Sequence, residues 1–309
     1  MNETAKEKWG YKMDVGIVGG GAIGLLFASY LKRAGHMVTI YTKRAEQAMK
    51  LTGEGLVFHR GGSVEKYHVE AFPIEQIREH ELLIIAVKQY QLEDLSPYLK
   101  SVKKPESTLL YLQNGMGHVK GFKENGWHAI VAGVVEHGAK RMSDHEIVQT
   151  GFGKTKISLV TGQSDLHRWT ATLHNKGFPI EIKDNWHEML SRKLVVNCAI
   201  NPLTAIFKVP NGELLYNDHF QNLMKKIVKE ATFLLHLDER EMWDEVVAVC
   251  KYTEQNRSSM LTDIENNRKT EIEAINGFLV EKGNENNIPV PYNDFVYKSV
   301  SGMEQVGKA

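Results

Sequence analysis

Three polar residues recur at intervals of four in an otherwise apolar segment of the chain. If this segment is helical, Lys193, Asn197 and Asn201 share one face, because residues four apart lie above one another. An ammonium group can stabilise the charge that develops on a carbonyl oxygen during hydride addition, and it can then protonate that oxygen. The spacing predicts a polar-ligand site suited to carbonyl reduction without a metal. The alternative is a structural network of asparagines with Lys193 extending to solvent.

A glycine-rich turn offers a second kind of chemistry. The turn follows an apolar run and leads into a helical pattern, and its residues are Gly19, Gly20, Gly21, Ala22, Ile23 and Gly24. In a dinucleotide site the first glycine allows the tight turn, Gly21 the approach of a pyrophosphate, and Gly24 the close packing of helix and strand. The phosphates meet the free N–H groups at the helix start. We therefore expect a dinucleotide, with an ordinary glycine turn as the alternative.

The residues after the second predicted strand indicate which dinucleotide. A site for NAD usually places Asp or Glu there, about 20 residues after the first glycine, to bind the ribose 2′-hydroxyl. This chain has Thr42, Lys43 and Arg44 instead. Because cations pair with a 2′-phosphate, the sequence favours NADP(H). Alternatively, Lys43 and Arg44 only begin a solvated helix.

Two further loops carry polar side chains at the ends of predicted strands. Asn114 lies in the segment 113–117 and could reach a nicotinamide or a substrate, or could form an Asn-Gly turn. Lys88 follows another strand and lies either near the cofactor or in solvent.

A second polar constellation lies at residues 256–273. Asn256 and Ser259 have short side chains suited to binding a carboxylate or hydroxyl group. Ser258 or Ser259 could equally cap a helix that starts near Met260, and the pair Thr270 and Glu273 resembles a capping box.

The hydrophobic pattern divides the chain into two halves. β-rich runs alternate with helical stretches up to about residue 184, which predicts an α/β domain with a parallel sheet. Its clearest strands are 38–41, 82–87, 108–112, 129–135 and 157–160, with a hairpin or long loop at 55–68. Helical spacing dominates afterwards, at 186–207, 218–237, 241–255 and 270–283. We predict an extension at 1–12, an α/β domain at 13–184 and an all-α substrate domain at 185–309.

Composition excludes several classes of function. The 309 residues include 38 basic and 38 acidic side chains, so no charge excess attracts nucleic acid or anionic membranes. Two cysteines without metal-type spacing fit a reducing compartment. No apolar run reaches the roughly 18 residues of a membrane span. We expect a soluble, cytoplasmic protein.

The chain resembles the ketopantoate reductase (2-dehydropantoate 2-reductase) family from residue 13 to residue 305. Beyond the glycine turn, the resemblance rests on several segments that follow one another in the family's order. The segments are VKQYQ at 87–91, QNGMG at 113–117, KLVVNCAINPLTA at 193–205, NGEL at 211–214, NRSSM at 256–260 and RKTE at 268–271.

The resemblance implies a Rossmann-type domain followed by helices like those of 6-phosphogluconate dehydrogenase. It implies NADPH-dependent reduction of 2-dehydropantoate to (R)-pantoate, in pantothenate and coenzyme A synthesis. Lys193 would be the proton donor, and Glu271 would hydrogen-bond the cofactor's ribose or orient Lys193. The substrate would contact Asn114, Asn197, Asn201, Asn211, Asn256 and Ser259. The cofactor would contact the glycine turn, Lys43, Arg44, Lys88, Asn114, Ala139 and Glu271.

Two alternatives remain within this resemblance. The chain could be a paralogue that reduces another branched 2-oxo acid, or a non-catalytic NADPH-binding regulator. The resemblance to related bacterial proteins also implies a homodimer.

Overall fold

The computed structural model describes residues 12–102, 106–118, 127–173 and 177–306, apart from the side chains of residues 168, 169, 171 and 172. The described chain forms two compact units. The first contains the described residues up to 113 and those of 127–189, and the second contains 114–118 and 190–306. The predicted extension at 1–12 lies outside the described residues, except for Lys12.

Twelve strands lie among the described residues of the first unit. In chain order they are β1 (Asp14–Val18), β2 (Met37–Thr42), β3 (Leu56–Arg60), β4 (Ser63–Tyr67), β5 (Glu70–Pro73), β6 (Leu82–Ile85), β7 (Thr108–Tyr111), β8 (Ala129–Val135), β9 (Gly138–Arg141), β10 (Glu146–Gly151), β11 (Thr155–Gly162) and β12 (Ile180–Ile182). Eight of them form one sheet in the order β12-β11-β8-β7-β6-β1-β2-β5. Its central strands read as continuous apolar runs, as expected of a sheet covered on both faces.

All neighbours in this sheet run parallel except β8 and β11, which are antiparallel. The chain leaves β8, forms β9 and β10, and returns beside the end of β8, where the N–H of Glu136 donates to the carbonyl of Lys154. Because it returns at the end it left, β11 must run back along β8. The predicted α/β class is confirmed, and the sheet is mixed rather than purely parallel.

A second, four-stranded sheet has the order β4-β3-β10-β9. The hairpin predicted at 55–68 supplies β3 and β4, and Gly61 and Gly62 turn the chain with positive φ angles. The other half of this sheet comes from β9 and β10, which the sequence analysis had not identified.

The described residues of the first unit also form four complete α-helices: α1 (Ala22–Arg33), α2 (Ala45–Glu54), α3 (Leu92–Ser101) and α4 (Leu166–Leu173). An aromatic cluster lies at the core beside α1. Phe178 stacks on Tyr30 at 4.3 Å between ring centroids and on His137 at 4.6 Å. Burial in this cluster lowers the pKa of His137 to about 4.

The second unit is helical in its described residues. Its elements are α5 (Trp186–Phe207), α6 (Glu213–Tyr216), α7 (Asp218–Leu235), α8 (Glu239–Tyr252), α9 (Ser259–Glu265), the π-helical segment Glu273–Gly277, α10 (Phe278–Glu285) and α11 (Pro291–Met303). The chain passes between units inside α5, after residue 189. Within the described ranges, none of the helices combines the length and apolar character that a membrane crossing needs.

Pro202 lies inside α5 and does not end the helix. A proline has no N–H, so the carbonyl four residues earlier loses its helical partner. That carbonyl belongs to Cys198, and it accepts a hydrogen bond of 3.1 Å from the Nδ2 of Asn276. Asn276 is fully buried in the π-helical segment. The Asn276 side chain thus provides the hydrogen bond that the α5 backbone loses at Pro202.

Both cysteines of the chain, Cys198 and Cys250, are free thiols in the second unit. Each is fully buried. Burial raises the pKa of the Cys250 thiol to about 12 and raises that of Cys198 as well. Neither thiol has the exposed, thiolate-stabilising surroundings of a reactive cysteine.

Candidate active site

The glycine turn has the backbone geometry that its sequence predicts. Gly19 has a φ of +119°, and its N–H donates to the carbonyl of Tyr41 at 2.8 Å. A Cβ at Gly24 would lie 1.9 Å from the carbonyl oxygen of Gly19, whereas a Cβ at Gly21 would meet nothing within 4 Å. Gly24 therefore serves close packing, and the space beside Gly21 is open.

The start of α1 is suited to an anion. Gly21 is its N-cap residue and has no side chain to accept from the first N–H groups, and the first turn carries no acidic residue. The free N–H groups and the positive end of the helix dipole remain to bind a negative group. With the open space at Gly21, these features fit the pyrophosphate of a dinucleotide.

Lys43 and Arg44 follow β2 at the carboxyl end of the sheet, as predicted. Arg44 is the N-cap residue of α2, and its guanidinium donates to the carboxylate of Asp144. Lys43 lies 3.9 Å from the carboxylate of Asp94, and both side chains are largely exposed. An exposed pair of this kind adds little stability, so Lys43 remains available to a ligand.

The neighbouring strands bring further predicted residues to the same edge of the sheet. Lys88 follows β6, and its N–H donates to the side chain of Gln91 at 3.2 Å. Gln113 follows β7, and its amide donates to the carbonyls of Ile85 and Val87, both at 2.9 Å. Ala139 lies instead in β9 of the small sheet, half-buried against the core.

In the second unit, α5 carries Lys193, Asn197 and Asn201 at successive turns. Lys193 and Asn201 are half-buried, and Asn197 is buried. Among the described residues we find no hydrogen bond to the Asn197 side chain. At 7% exposure the amide still reaches solvent, so it is open to a polar ligand. The neighbouring Arg192 is paired with Glu241 and Glu245 on α8, which offsets the repulsion it could exert on Lys193.

The loops before α6 and α9 supply the next group. Asn211 donates from Nδ2 to the hydroxyl of Thr253 at 2.8 Å, while its buried Oδ1 has no partner in the described part of the chain. Ser258 caps α9 by accepting from the N–H of Leu261 at 3.0 Å, so the capping alternative holds for this serine. Ser259 and Asn256 are exposed, and the carbonyl of Asn256 accepts from the N–H of Asn211.

Asn114 and Glu271 meet in the second unit. The Nδ2 of Asn114 donates to the Glu271 carboxylate at 3.0 Å. Gly115 has a φ of +79°, and a Cβ there would lie 2.2 Å from the carbonyl oxygen of Ala274. That carbonyl, in the π-helical segment, accepts from the N–H of Met116 at 3.3 Å. Residues 114–116 are thus docked on the segment that follows Glu271.

The capping box predicted for Thr270 and Glu273 is half correct. Thr270 does cap the following turn, because its hydroxyl accepts from the N–H of Ile272 at 3.1 Å. The returning carboxylate is that of Glu304, at the end of α11, which accepts from both the N–H and the hydroxyl of Thr270 at 2.7 and 2.5 Å. Glu273 is exposed and lies 4.0 Å from Lys269. The distant Glu304 occupies the role that local spacing assigned to Glu273.

Three residues that the sequence analysis did not identify lie beside the glycine turn. Gln47 donates to the carbonyls of Gly20 and Asp144 at 2.8 and 3.0 Å, and Arg141 donates to that of Gly20 at 3.3 Å. The Ser143-Asp144 pair between two β-like runs is a turn signal. No local pattern, however, indicates that this turn packs against residues 100 positions away.

Comparisons with known proteins cover both units. Residues 15–162 match the family model described as ketopantoate reductase PanE/ApbA, and residues 185–304 match the model of its C-terminal part. The chain is 38% identical over 299 residues to the 2-dehydropantoate 2-reductase of Bacillus subtilis, covering 95% of this chain and 98% of that protein.

Two solved structures are also similar. The crystal structure of a probable 2-dehydropantoate 2-reductase from Bacillus subtilis has a TM-score of 0.81 at 37% identity, covering 94% of this chain and 99% of that one. A ternary complex of D-mandelate dehydrogenase with NADH and anilino(oxo)acetate has a TM-score of 0.88 at 25% identity, covering 94% and 98%.

Proposed function

The chain belongs to the ketopantoate reductase family and is an oxidoreductase, and from this premise we propose that it reduces 2-dehydropantoate to (R)-pantoate with NADPH. The observation that supports this most is the row of polar residues on α5, formed by Lys193, Asn197 and Asn201. A buried amide without a described partner, Asn197, lies one turn from Lys193. This pairing suits a small oxo acid, which needs both hydrogen-bond donors and a proton source.

The first unit provides the residues for the cofactor. The glycine turn and the N–H groups of α1 would hold the pyrophosphate, and Arg44 and Lys43 would pair with the 2′-phosphate. Lys88 and Ala139 are the further cofactor contacts that we propose. When bound, NADPH supplies the hydride.

The second unit provides the residues for the substrate. Lys193 would stabilise the charge developing on the C2 oxygen and donate the proton from Nζ. The remaining hydrogen bonds to the substrate would come from Asn114, Asn197, Asn201, Asn211, Asn256 and Ser259. Glu271, which already holds Asn114, would hydrogen-bond the ribose or orient Lys193.

Oxidation of NADPH and of NADH with a panel of 2-oxo acids tests the proposal. We expect efficient turnover of 2-dehydropantoate with a preference for NADPH. Phenylglyoxylate, the oxo acid that corresponds to mandelate, is the informative competitor because of the similarity to D-mandelate dehydrogenase. Preference for phenylglyoxylate or another branched 2-oxo acid would make the protein a paralogous reductase. Cofactor binding without any turnover would indicate a regulator.

Three broader expectations belong to the same proposal. The enzyme would act in the cytoplasm, in pantothenate and coenzyme A synthesis, and would assemble as a homodimer. Sedimentation velocity over a range of concentrations tests the assembly, because a dimer sediments faster than the 35.0 kDa monomer.

A further inference from the structure

Two guanidinium groups converge on one carboxylate oxygen in the first unit. Arg44, at the start of α2, donates from Nη2 to Oδ1 of Asp144. Arg141, at the end of β9, places Nη1 3.8 Å from the same Oδ1. The side chains of Arg44, Arg141 and Asp144 are 51%, 40% and 28% exposed, in that order. We call Arg44 and Arg141 the arginine pair.

The arginine pair is held against the glycine turn. Arg141 donates to the carbonyl of Gly20, and Gln47 joins that carbonyl to the backbone of Asp144. The positions of both guanidinium groups are therefore fixed relative to the turn that would bind the pyrophosphate. Arg44 follows β2, at whose end the adenosine ribose is expected in this class of site, and Arg141 is linked to it through Asp144.

The charges favour an anion over a purely structural role. Two guanidinium groups and one carboxylate leave a net charge of +1 at a partly exposed site. Exposed ion pairs contribute little to stability, so folding alone gives weak reason for two arginines to share one acceptor. Guanidinium groups arranged around one oxygen are also the arrangement that binds phosphate.

We propose that the Asp144 carboxylate is an internal counterion, which holds the arginine pair in the position where the 2′-phosphate of NADPH binds. The phosphate replaces the Asp144 carboxylate as the partner of both guanidinium groups, and the carboxylate turns into solvent. Arg141 is thus the second arm of the 2′-phosphate site, and Asp144 limits its affinity. This inference rests on the proposed function through its preference for NADP(H).

Calorimetric binding of two nucleotides to the full-length protein isolates the 2′-phosphate. Adenosine 2′,5′-bisphosphate carries that group and AMP lacks it, and at about pH 8 the phosphates are fully ionised. The variants are Arg141→Ala and Asp144→Asn. Lys140→Ala is the matched control, because Lys140 is exposed and adjacent residues of a strand point to opposite faces.

The expected results differ in sign. Arg141→Ala weakens binding of the bisphosphate by about tenfold, as loss of one charge-assisted contact should, and changes AMP binding by less than about twofold. Asp144→Asn keeps the shape of the side chain without its charge, and it tightens binding of the bisphosphate by about threefold or more. Lys140→Ala removes the same charge as Arg141→Ala and leaves both affinities within about twofold.

The outcomes separate this inference from the proposed function. Equal weakening of AMP and bisphosphate by Arg141→Ala would place Arg141 at the pyrophosphate and overturn the inference. Unchanged or weaker bisphosphate binding in Asp144→Asn would overturn the counterion role. A wild-type protein that binds both nucleotides equally would overturn this inference and the NADP preference together. Turnover of 2-dehydropantoate with NADH would then still support the reductase.

Discussion

The two units prepare for ligands by different means. In the first unit the candidate groups for the pyrophosphate belong to the backbone: the turn at Gly19, the open space at Gly21 and the uncapped start of α1. In the second unit the candidate groups are side chains on helices, such as Lys193 and Asn197 on α5. A backbone site depends on the absence of a Cβ at a few positions, and a side-chain site depends on particular functional groups.

This difference has consequences for stability. The glycine turn leaves N–H groups free at a helix end, where water satisfies them without a ligand. Both units also bury amide oxygens that lack partners among the described residues: those of Gln89 and Gln113 in the first unit, and those of Asn211 and Asn276 in the second. An added Cβ in the glycine turn of the first unit should therefore disturb packing or ligand binding, whereas truncating a functional side chain of the second unit should lower activity more than stability.

The largest expected effect tests the side-chain site. Lys193→Ala should lower kcat by about 10²–10⁴, the usual contribution of general acid catalysis, because the oxygen loses its proton donor. NADPH affinity, measured by calorimetry, should stay within about twofold. Lys226→Ala removes an exposed lysine from α7 and should leave kcat unchanged. Near-normal turnover in Lys193→Ala would remove Lys193 as the donor.

The next effect tests the backbone site with two alanines. Gly24→Ala places a Cβ against the carbonyl of Gly19, which must move, so the unfolding temperature should fall by several degrees, since overpacking costs about 1–3 kcal/mol. Gly21→Ala meets no protein atom within 4 Å and should leave that temperature unchanged while still weakening NADPH binding by about tenfold. Differential scanning calorimetry and a binding titration compare them. Equal stabilities in the two variants would contradict the packing role of Gly24.

A smaller effect sharpens how the second unit holds its functional groups. Glu304 accepts two hydrogen bonds from Thr270, the residue before Glu271. Glu304→Ala should lower kcat by about tenfold through misplacement of Glu271, and Glu304→Gln, which keeps an acceptor, should recover part of it. The control Glu273→Ala removes an exposed carboxylate nearby and should leave kcat unchanged. If Gln is no better than Ala, or if the control is equally slow, Glu304 does not position Glu271 in this way.

The smallest effect concerns acid stability, and each unit contributes one histidine. Burial lowers the pKa of His137 in the first unit and of His118 in the second to about 4, from an ordinary 6.5. Between these values the unfolded chain binds protons that the folded protein does not, so the unfolding temperature should fall as the pH drops from 6.5 towards 4.

His137→Asn isolates one of these contributions. The Oδ1 of asparagine can replace Nδ1 as the acceptor of the Gly153 N–H, an interaction of 3.2 Å, but it does not titrate in this range. The variant should show a shallower fall in unfolding temperature between pH 6.5 and 4, with His118 still contributing. An unchanged slope, measured by thermal unfolding at a series of pH values, would mean that His137 titrates normally in the folded protein.

Local patterns were sufficient for much of the fold. Apolar runs predicted the central strands, and the positive φ at Gly19 explains why the glycine turn was recognisable. The row on α5 was visible because a helix has a fixed period. The apolar run of the second strand likewise placed Lys43 and Arg44 directly after β2.

The remaining features depend on contacts between distant residues. Pro202 is a helix breaker by local rules, and only the amide of Asn276 shows why α5 continues through it. Glu273 has the local spacing of a capping residue, but Glu304 lies 34 positions from Thr270 and provides the carboxylate. The Asp144 turn was missed for the same reason, because its partners Arg44 and Gln47 lie about a hundred residues earlier.

Because both thiols are buried in the second unit, their reactivity reports on the opening of that unit. Because Cys198 and Cys250 are the only cysteines of the chain, a thiol-reactive dye has no target in the first unit. In the native protein the dye reacts only after the helices around one of these side chains open. The labelling rate would therefore record the opening of the helical unit alone, and slower labelling with a substrate analogue would reveal how much a ligand tightens it. The wild-type chain thus allows the opening rate of the helical unit to be measured without any engineered label.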